Sequence, residues 1–166
     1  KDDSVKKKAW IQNAKLIAEK LEKGLTCSFV TIGDPMLYST CSYLAKEIKK
    51  IIPDLTIEII PGITSFQTAA AKAQIPLAED KEIISIFPAF STDIVKKIKK
   101  SPSDTIIIMM PFKTRKDIVR LAEKLKYSGL YASKLCFKEE KLISDFSEVD
   151  KLPEEYLSLF IIKKKP

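Results

Sequence analysis

The chain has 166 residues, enough to bury the core of one ordinary domain or of two small ones. Hydrophobic residues make up 45% of it and charged residues 31%, the balance of a globular protein, and its longest apolar run, residues 106–110, is far too short to span a bilayer. The sequence contains no histidine. This absence excludes imidazole general bases, Ser-His-Asp triads and most zinc sites, so we expect no metal centre and a chemistry that needs little acid or base help.

The formal charge of +7 predicts an anionic partner, which could be nucleic acid, a membrane surface or a polycarboxylate. The lysines are spread along predicted helix faces, and an ordinary solvated surface would show the same pattern. Residues 1–4 are charged and lead into an amphipathic stretch, so we expect no secretory signal, a cytoplasmic location and no membrane partner. The three widely spaced cysteines, Cys27, Cys41 and Cys136, are predicted to be reduced core residues.

The first half of the chain alternates between helical and β-type spacing of its apolar residues. The spacing over residues 10–21 predicts a helix that ends at Gly24. Residues 27–32 and 56–60 are short and β-rich, which predicts two buried strands, and the stripe over 37–51 predicts a helix between them. Strand, helix and strand in this order imply a right-handed parallel crossover.

The character of the sequence changes after residue 76, where we place a domain boundary. An alanine-rich helix is predicted over 66–73, just before it. The elements predicted beyond it are strands at 82–87, 105–110, 133–137, 141–146 and 157–163 and helices at 93–100 and 114–126. The sequence therefore predicts an α/β fold with an N-terminal domain over 1–76, holding a partial parallel sheet, and a C-terminal domain over 77–166, holding a mixed sheet with antiparallel edges.

Two turns of a ligand-binding type follow the two strands predicted in the first half. Gly33 allows another molecule to approach the backbone, Asp34 can cap the next helix, and Pro35 suits the first turn of that helix. Residues 61–66 repeat this arrangement one strand later. Each turn alone is also an ordinary strand-to-helix connection, but two at the ends of adjacent strands would open into the same crevice. Neither is a phosphate loop, which disfavours nucleotide diphosphate cofactors.

Met109 and Met110 end the most apolar predicted strand. Methionine is ordinarily core filler. At the carboxyl end of a strand, however, these side chains could also contact an apolar or adenine-like ligand. The sequence leaves both readings open.

The two turns and their surroundings resemble the tetrapyrrole (corrin/porphyrin) methylase family. The resemblance is carried by Phe-Val-Thr-Ile-Gly-Asp-Pro-Met-Leu-Tyr-Ser-Thr at 29–40, Glu-Ile-Ile-Pro-Gly-Ile-Thr-Ser-Phe at 58–66 and Ile-Pro-Leu-Ala-Glu at 75–79. It extends over nearly the whole chain. Within the family, the Tyr-Ser-Thr and Ser-Phe segments are most similar to the methyltransferases that act on carbon 20 of precorrin-2 or cobalt-factor II in cobalamin biosynthesis.

The resemblance implies two α/β domains with S-adenosylmethionine in the cleft between them, usually in a homodimer, and methyl transfer to an anionic tetrapyrrole. For the candidate catalytic residue, Asp34, our hypothesis is that it organises the cofactor loop or handles charge near the reacting carbon, instead of acting as a nucleophile. The cofactor-binding residues implied by the resemblance are Ile32, Gly33, Asp34, Leu37, Thr64, Ser65, Met109 and Met110.

The sequence departs from the family pattern in two places. Family members begin with a strand and a Gly-Pro-Gly-Asp-Pro-like loop before the first helix, and this sequence shows neither, so we expect either an N-terminally incomplete version of the protein or a degenerate relative. The carbon-20 enzymes also tend to have Met-Lys where this chain has Met109-Met110-Pro111. The alternative function is therefore a non-catalytic or degenerate relative that binds a tetrapyrrole or another anion. A nucleic-acid-binding protein would need basic residues clustered with exposed aromatics, whereas the lysines are scattered, so we expect no nucleic-acid partner.

Overall fold

The computed structural model describes residues 3–90 and 93–164 and divides into two compact units, Lys1–Thr64 and Ser65–Pro166. The helices are α1 (Asp3–Glu22), α2 (Cys41–Ile51), α3 (Ser65–Ala73), α4 (Ile94–Lys100), α5 (Arg115–Lys124) and α6 (Phe146–Val149). The strands are β1 (Ile84–Pro88), β2 (Thr105–Met109), β3 (Ser128–Ser133), β4 (Lys141–Ile143) and β5 (Ser158–Lys163). The contacts group α3 with the second unit, whereas the boundary after residue 76 stays a prediction from the sequence.

The first unit is held by the packing of α1 against α2. Ala14 of α1 and Leu44 and Ile48 of α2 form its buried cluster, because apolar residues three and four positions apart share one helix face. On the same pair of helices the rings of Trp10 and Tyr43 stack with their centroids 4.4 Å apart. The predicted first helix is confirmed and is longer than expected at its start. Within the described residues, no helix is both long and apolar enough to cross a bilayer.

The two strands predicted in the first half, over 27–32 and 56–60, do not form. Described residues of the first unit contribute no strand, and the side chains of Val30 and Ile60 are 88% and 74% exposed. The physical reason is that β-rich sequence favours a pleated, half-buried surface and becomes a strand only when another strand completes its hydrogen bonds. The parallel crossover that the sequence predicted is therefore wrong for this unit as described.

The cysteines also differ from their predicted placement. Cys27 and Cys136 are exposed, and Cys41 is half-buried, so none of the three belongs to the core. All three are free thiols. Cys27 is exposed because it lies in one of the segments that form no strand.

The second unit is built on a five-stranded mixed sheet in the order β1-β2-β5-β3-β4. β1 and β2 are parallel, β5 is antiparallel to β2 and to β3, and β3 and β4 are antiparallel. The predicted α/β fold and mixed sheet are confirmed, although only the β4 edge is antiparallel. The strand predicted at 133–137 is wrong: β3 ends at Ser133, and Lys134 and Cys136 then adopt positive φ angles of 48° and 65°, which are incompatible with an extended strand.

The core of the second unit lies along the central strands β2 and β5. Ile106, Ile107 and Ile108 of β2 are fully buried, as are Phe160, Ile161 and Ile162 of β5. Because successive side chains point to opposite faces of a strand, a run of consecutive buried residues means that both faces are covered. Helices α4, α5 and α6 contribute to the cluster on one face, among them the buried Ile98, Ile118 and Val149.

The closeness of β3 and β5 yields a prediction about Gly129. A Cβ at this position would overlap the carbonyl oxygen of Ile161 on β5. We expect Gly129→Ala to push the two strands apart and to lower the free energy of unfolding of this unit by about 3 kcal/mol. Amide hydrogen exchange of peptides covering β3 and β5 measures the effect.

Gly24→Ala is the matched control for this substitution. A Cβ at Gly24 meets nothing within 4 Å, so only its φ of +76° opposes alanine, at a cost of about 1 kcal/mol confined to the first unit. Exchange in β3 and β5 should not change in this variant. Unchanged exchange in Gly129→Ala as well would contradict the close approach of the strands.

Candidate functional site

The carboxylate of Asp34 joins the two turns that the sequence singled out. Its Oδ1 accepts a hydrogen bond from the backbone N–H of Met36 at 2.8 Å, and its Oδ2 accepts one from the backbone N–H of Gly62 at 2.9 Å, 28 residues along the chain. The first bond organises its own turn, and the second fixes the other turn against it. Asp34 is thus a link between two loops. It is not the helix cap that the sequence predicted, because α2 begins only at Cys41, with Thr40 as its N-cap, and not at residue 37.

These hydrogen bonds also determine the charge of Asp34. The backbone N–H of Gly62, then those of Met36 and Leu37, lower the pKa of the carboxyl below its ordinary value of 3.8. The group is therefore ionised at neutral pH, with both oxygens engaged by the backbone. This arrangement favours the organising role over a role as base or nucleophile, because each of those would need a free oxygen.

The two turns approach so closely that only glycine fits at position 62. A Cβ on Gly62 would overlap the carbonyl oxygen of Gly33. Gly33 itself has a φ of +79°, and its Cβ position meets only the Ile63 carbonyl oxygen, at 3.8 Å. Its backbone is therefore open on one side. The exposed side chains of Ile32 and Ile63 flank that open backbone.

In the second unit, α3 and β2 bring two of the predicted cofactor residues together. The hydroxyl of Ser65, the first residue of α3, donates to the sulfur of Met109, the last residue of β2, at 3.9 Å. Met110 behaves differently: its N–H donates to the carbonyl oxygen of Ser158 at 2.9 Å, and its φ is +54°. The backbone thus turns out of the sheet at Met110, a strained conformation that is common at functional sites.

The structure thus places the predicted residues in two groups. Within the first unit, Asp34 contacts the backbone of Leu37, Gly33 lies against the 61–63 turn, and Thr64 is half-buried at the end of the unit. Sequence reasoning missed the N–H groups of Met36 and Gly62 as partners of the carboxylate. The Gly-Asp-Pro motif favours the hydrogen bond from Met36, but no local sequence pattern predicts a hydrogen bond between residues 28 positions apart.

Each group by itself offers contacts of a kind that an amphiphilic cofactor such as S-adenosylmethionine can use. In the first unit an open glycine backbone offers hydrogen bonds and exposed isoleucines offer apolar contact. In the second unit, Met109 and Met110 offer soft, adaptable apolar surface beside the hydroxyl of Ser65. Within each unit, polar donors and apolar surface thus lie side by side, as small-molecule sites require.

The ionisation of Asp34 yields a prediction about pH. Its pKa is lower in the folded unit than in the unfolded chain, so the ionised carboxylate stabilises the fold above about pH 3.8, and this stabilisation is lost as the pH falls through the folded pKa. We expect the amide proton resonance of Gly62 to move with a midpoint below 3.8 in an NMR titration. Asp34→Asn should abolish that transition, and a midpoint at or above 3.8 in the unaltered chain would contradict the link.

Comparisons with known proteins identify the family. The model of the family "Tetrapyrrole (Corrin/Porphyrin) Methylases" matches residues 1–150. A probable cobalt-precorrin-2 C(20)-methyltransferase of Methanocaldococcus jannaschii is 34% identical over 99% of this chain and 69% of its own length. The cobalt-precorrin-2 C(20)-methyltransferase of Salmonella typhimurium is 28% identical over the same shares of the two chains.

Solved structures show the same fold. A cobalt precorrin-4 methyltransferase superposes with a TM-score of 0.75 at 17% identity, over 92% of this chain and 71% of that one. A uroporphyrin-III C-methyl transferase from Thermus thermophilus, solved in complex with S-adenosylhomocysteine, superposes with a TM-score of 0.56 at 16% identity, over 80% of this chain and 63% of that one. Together with the family model and the sequence relatives, these results confirm the resemblance seen in the motifs. The chain belongs to the tetrapyrrole (corrin/porphyrin) methylase family.

Proposed function

We propose that this protein transfers the methyl group of S-adenosylmethionine to carbon 20 of precorrin-2 or cobalt-factor II in cobalamin biosynthesis. The observation that carries the proposal is the Asp34 carboxylate, which ties together the two turns whose sequences resemble the family. Both sequence relatives described above bear the name of this activity, and both names refer to the cobalt-containing substrate. The protein is an enzyme on this account, an S-adenosylmethionine-dependent C-methyltransferase.

The proposed reaction requires the protein to position two molecules, the cofactor and the tetrapyrrole. When bound, S-adenosylmethionine would supply an electrophilic methyl group to a nucleophilic carbon, with S-adenosylhomocysteine as the leaving group and loss of the proton on that carbon. The open backbone of Gly33 would orient the cofactor, and Asp34 holds the Gly33 turn against the Gly62 turn. Correct positioning lowers a barrier by roughly 7–11 kcal/mol, which makes such chemistry feasible in a chain without histidine.

The proposed cofactor contacts are the residues that the family resemblance implies. Ile32, Gly33, Leu37 and Thr64 would bind from the first unit, with Asp34 as the residue that positions the loop. From the second unit, the residues proposed are Ser65, Met109 and Met110. The different geometry of the two methionines supports different roles: Met109 is bonded to Ser65 inside the sheet, whereas Met110 leaves it.

The substrate and the assembly are parts of the same proposal. A tetrapyrrole with several carboxylates would be attracted by the net charge of +7 on this chain. The family resemblance supports a homodimer, and light scattering measures it directly. It likewise supports action in the cytoplasm, where the other enzymes of such a pathway would meet their intermediates.

Cofactor binding is the first test of the proposal. We expect calorimetric titration with S-adenosylhomocysteine to give one-to-one binding. Gly62→Ala should weaken that binding at least about tenfold, because the Cβ displaces the Gly33 turn. Gly24→Ala is the control in the same unit, since its Cβ meets no neighbour, and it should bind as tightly as the unaltered chain. Equal affinities in all three proteins would contradict the proposed site.

Methyl transfer is the second test. With S-adenosylmethionine labelled with carbon-13 in the methyl group, we expect label at carbon 20 of precorrin-2 or cobalt-factor II, detected by NMR. Asp34→Asn should reduce the rate on the order of a hundredfold, since it loosens the cofactor loop without removing a reacting group. Binding of both ligands without any product would favour the non-catalytic relative instead, and full activity in Asp34→Asn would remove Asp34 from the mechanism.

A further inference from the structure

Two aromatic rings meet at the surface of the second unit. Phe112 lies three residues beyond the end of β2, and Tyr156 lies two residues before the start of β5. Their centroids are 5.6 Å apart, with the rings inclined at 62°, and the ammonium of Lys113 lies 5.7 Å from the centroid of Phe112. Phe112 is half-buried and supports Tyr156, whose side chain is 52% exposed. We call Phe112, Lys113 and Tyr156 the aromatic platform.

A buried arginine holds the aromatic platform in place. Arg115 is only 3% exposed, and its two terminal nitrogens donate to the carbonyl oxygens of Leu152 and Pro153. Arg115 is the first residue of α5, three residues after Phe112. Its hydrogen bonds therefore fasten the segment that carries Tyr156 to the segment that carries Phe112. Burying a guanidinium is costly unless its donors are satisfied. The two carbonyl groups satisfy the terminal nitrogens of Arg115, whereas its Nε is buried without a hydrogen-bond partner among the described residues.

The loop that carries Tyr156 is fixed from its other side by Glu155. The Glu155 carbonyl oxygen accepts from the Ser158 hydroxyl at 2.5 Å, and its carboxylate accepts from the Leu157 N–H at 3.0 Å. The same carboxylate lies 3.4 Å from the ammonium of Lys134. An exposed aromatic residue on a loop with so many restraints is preorganised, which reduces the entropy that binding would cost.

The aromatic platform stands at the edge of the sheet where ligands bind in α/β proteins. β1 and β2 are parallel and their carboxyl ends define that edge. Met110, two residues before Phe112, is bonded there to Ser158, two residues after Tyr156. The aromatic platform therefore adjoins the methionines proposed to contact the cofactor, within the same unit.

We propose that the aromatic platform binds the tetrapyrrole substrate, with the ring of Tyr156 against the apolar macrocycle and Lys113 paired with a carboxylate at its rim. The inference rests on the proposed function and names the residues that would recognise its substrate. A flat apolar body edged with carboxylates matches an exposed aromatic ring with a cation beside it. The rigid mounting by Arg115 and Glu155 suits a surface that must present a large ligand in one orientation.

Uroporphyrin III, a stable octacarboxylate porphyrin, serves as the probe. Its binding to the full chain is measured by its absorbance, in parallel with calorimetry of S-adenosylhomocysteine. We expect Tyr156→Ala to weaken uroporphyrin binding about tenfold and Tyr156→Phe, which keeps the ring, to retain it. Lys113→Gln should weaken binding and reduce its dependence on salt. None of these variants should change the affinity for S-adenosylhomocysteine.

Two control variants match the exposure and chemistry of the tested residues. Tyr43→Ala removes a tyrosine that is 49% exposed and belongs to another aromatic pair, on α2 of the first unit. Lys99→Gln removes an exposed lysine in the last turn of α4, which leads into the opposite end of β2. Both should bind uroporphyrin as the unaltered chain does.

The possible outcomes separate the two proposals. Uroporphyrin affinity that is absent, or equal in Tyr156→Ala and Tyr43→Ala, would overturn the role of the platform while leaving methyl transfer intact. Weaker binding of S-adenosylhomocysteine in Tyr156→Ala, with uroporphyrin unaffected, would assign the platform to the cofactor and likewise overturn the inference. Platform-dependent uroporphyrin binding without any cofactor binding would support the inference and count against the proposed methyltransferase.

Discussion

One carboxylate sets the arrangement of the two turns in the first unit, at 33–36 and 61–63. In a unit whose described residues form no strand, the backbone around Gly33 has no sheet to hold it, and the hydrogen bonds of Asp34 to Met36 and Gly62 supply the missing order. The glycine at 62 makes this possible, since any side chain there would collide with the neighbouring turn. The proposed cofactor contact thus depends on the ionised carboxylate of Asp34, which itself takes no part in the proposed reaction.

The second unit was largely predictable from its sequence because its strands pair with one another and its helices bury their apolar faces against them. Strands at 82–87 and 105–110 and the helix at 114–126 were placed within a few residues of β1, β2 and α5. Their apolar periodicity reports faces that really are buried in this unit. The first unit obeys the same local propensities, but local propensity cannot say whether a β-rich segment has a neighbour to pair with.

The candidate site shows the same division between local and distant information. Gly33 and Asp34 could be named from their motif, because strand-to-turn chemistry is encoded by adjacent residues. The bond from Gly62 and the contact of Ser65 with Met109 join residues far apart in sequence, so only the folded chain reveals them. Nothing in the sequence around Arg115 predicts its burial, which follows from the carbonyl groups of a loop nearly forty residues later.

The stacked pair of Trp10 and Tyr43 has a spectroscopic consequence. The chain has a single tryptophan, and it lies in the first unit, between the two helices that hold that unit together. Indole fluorescence therefore reports the α1–α2 contact alone, while circular dichroism averages both units. A denaturant titration followed by both signals would show whether the two units unfold as one cooperative body or in sequence.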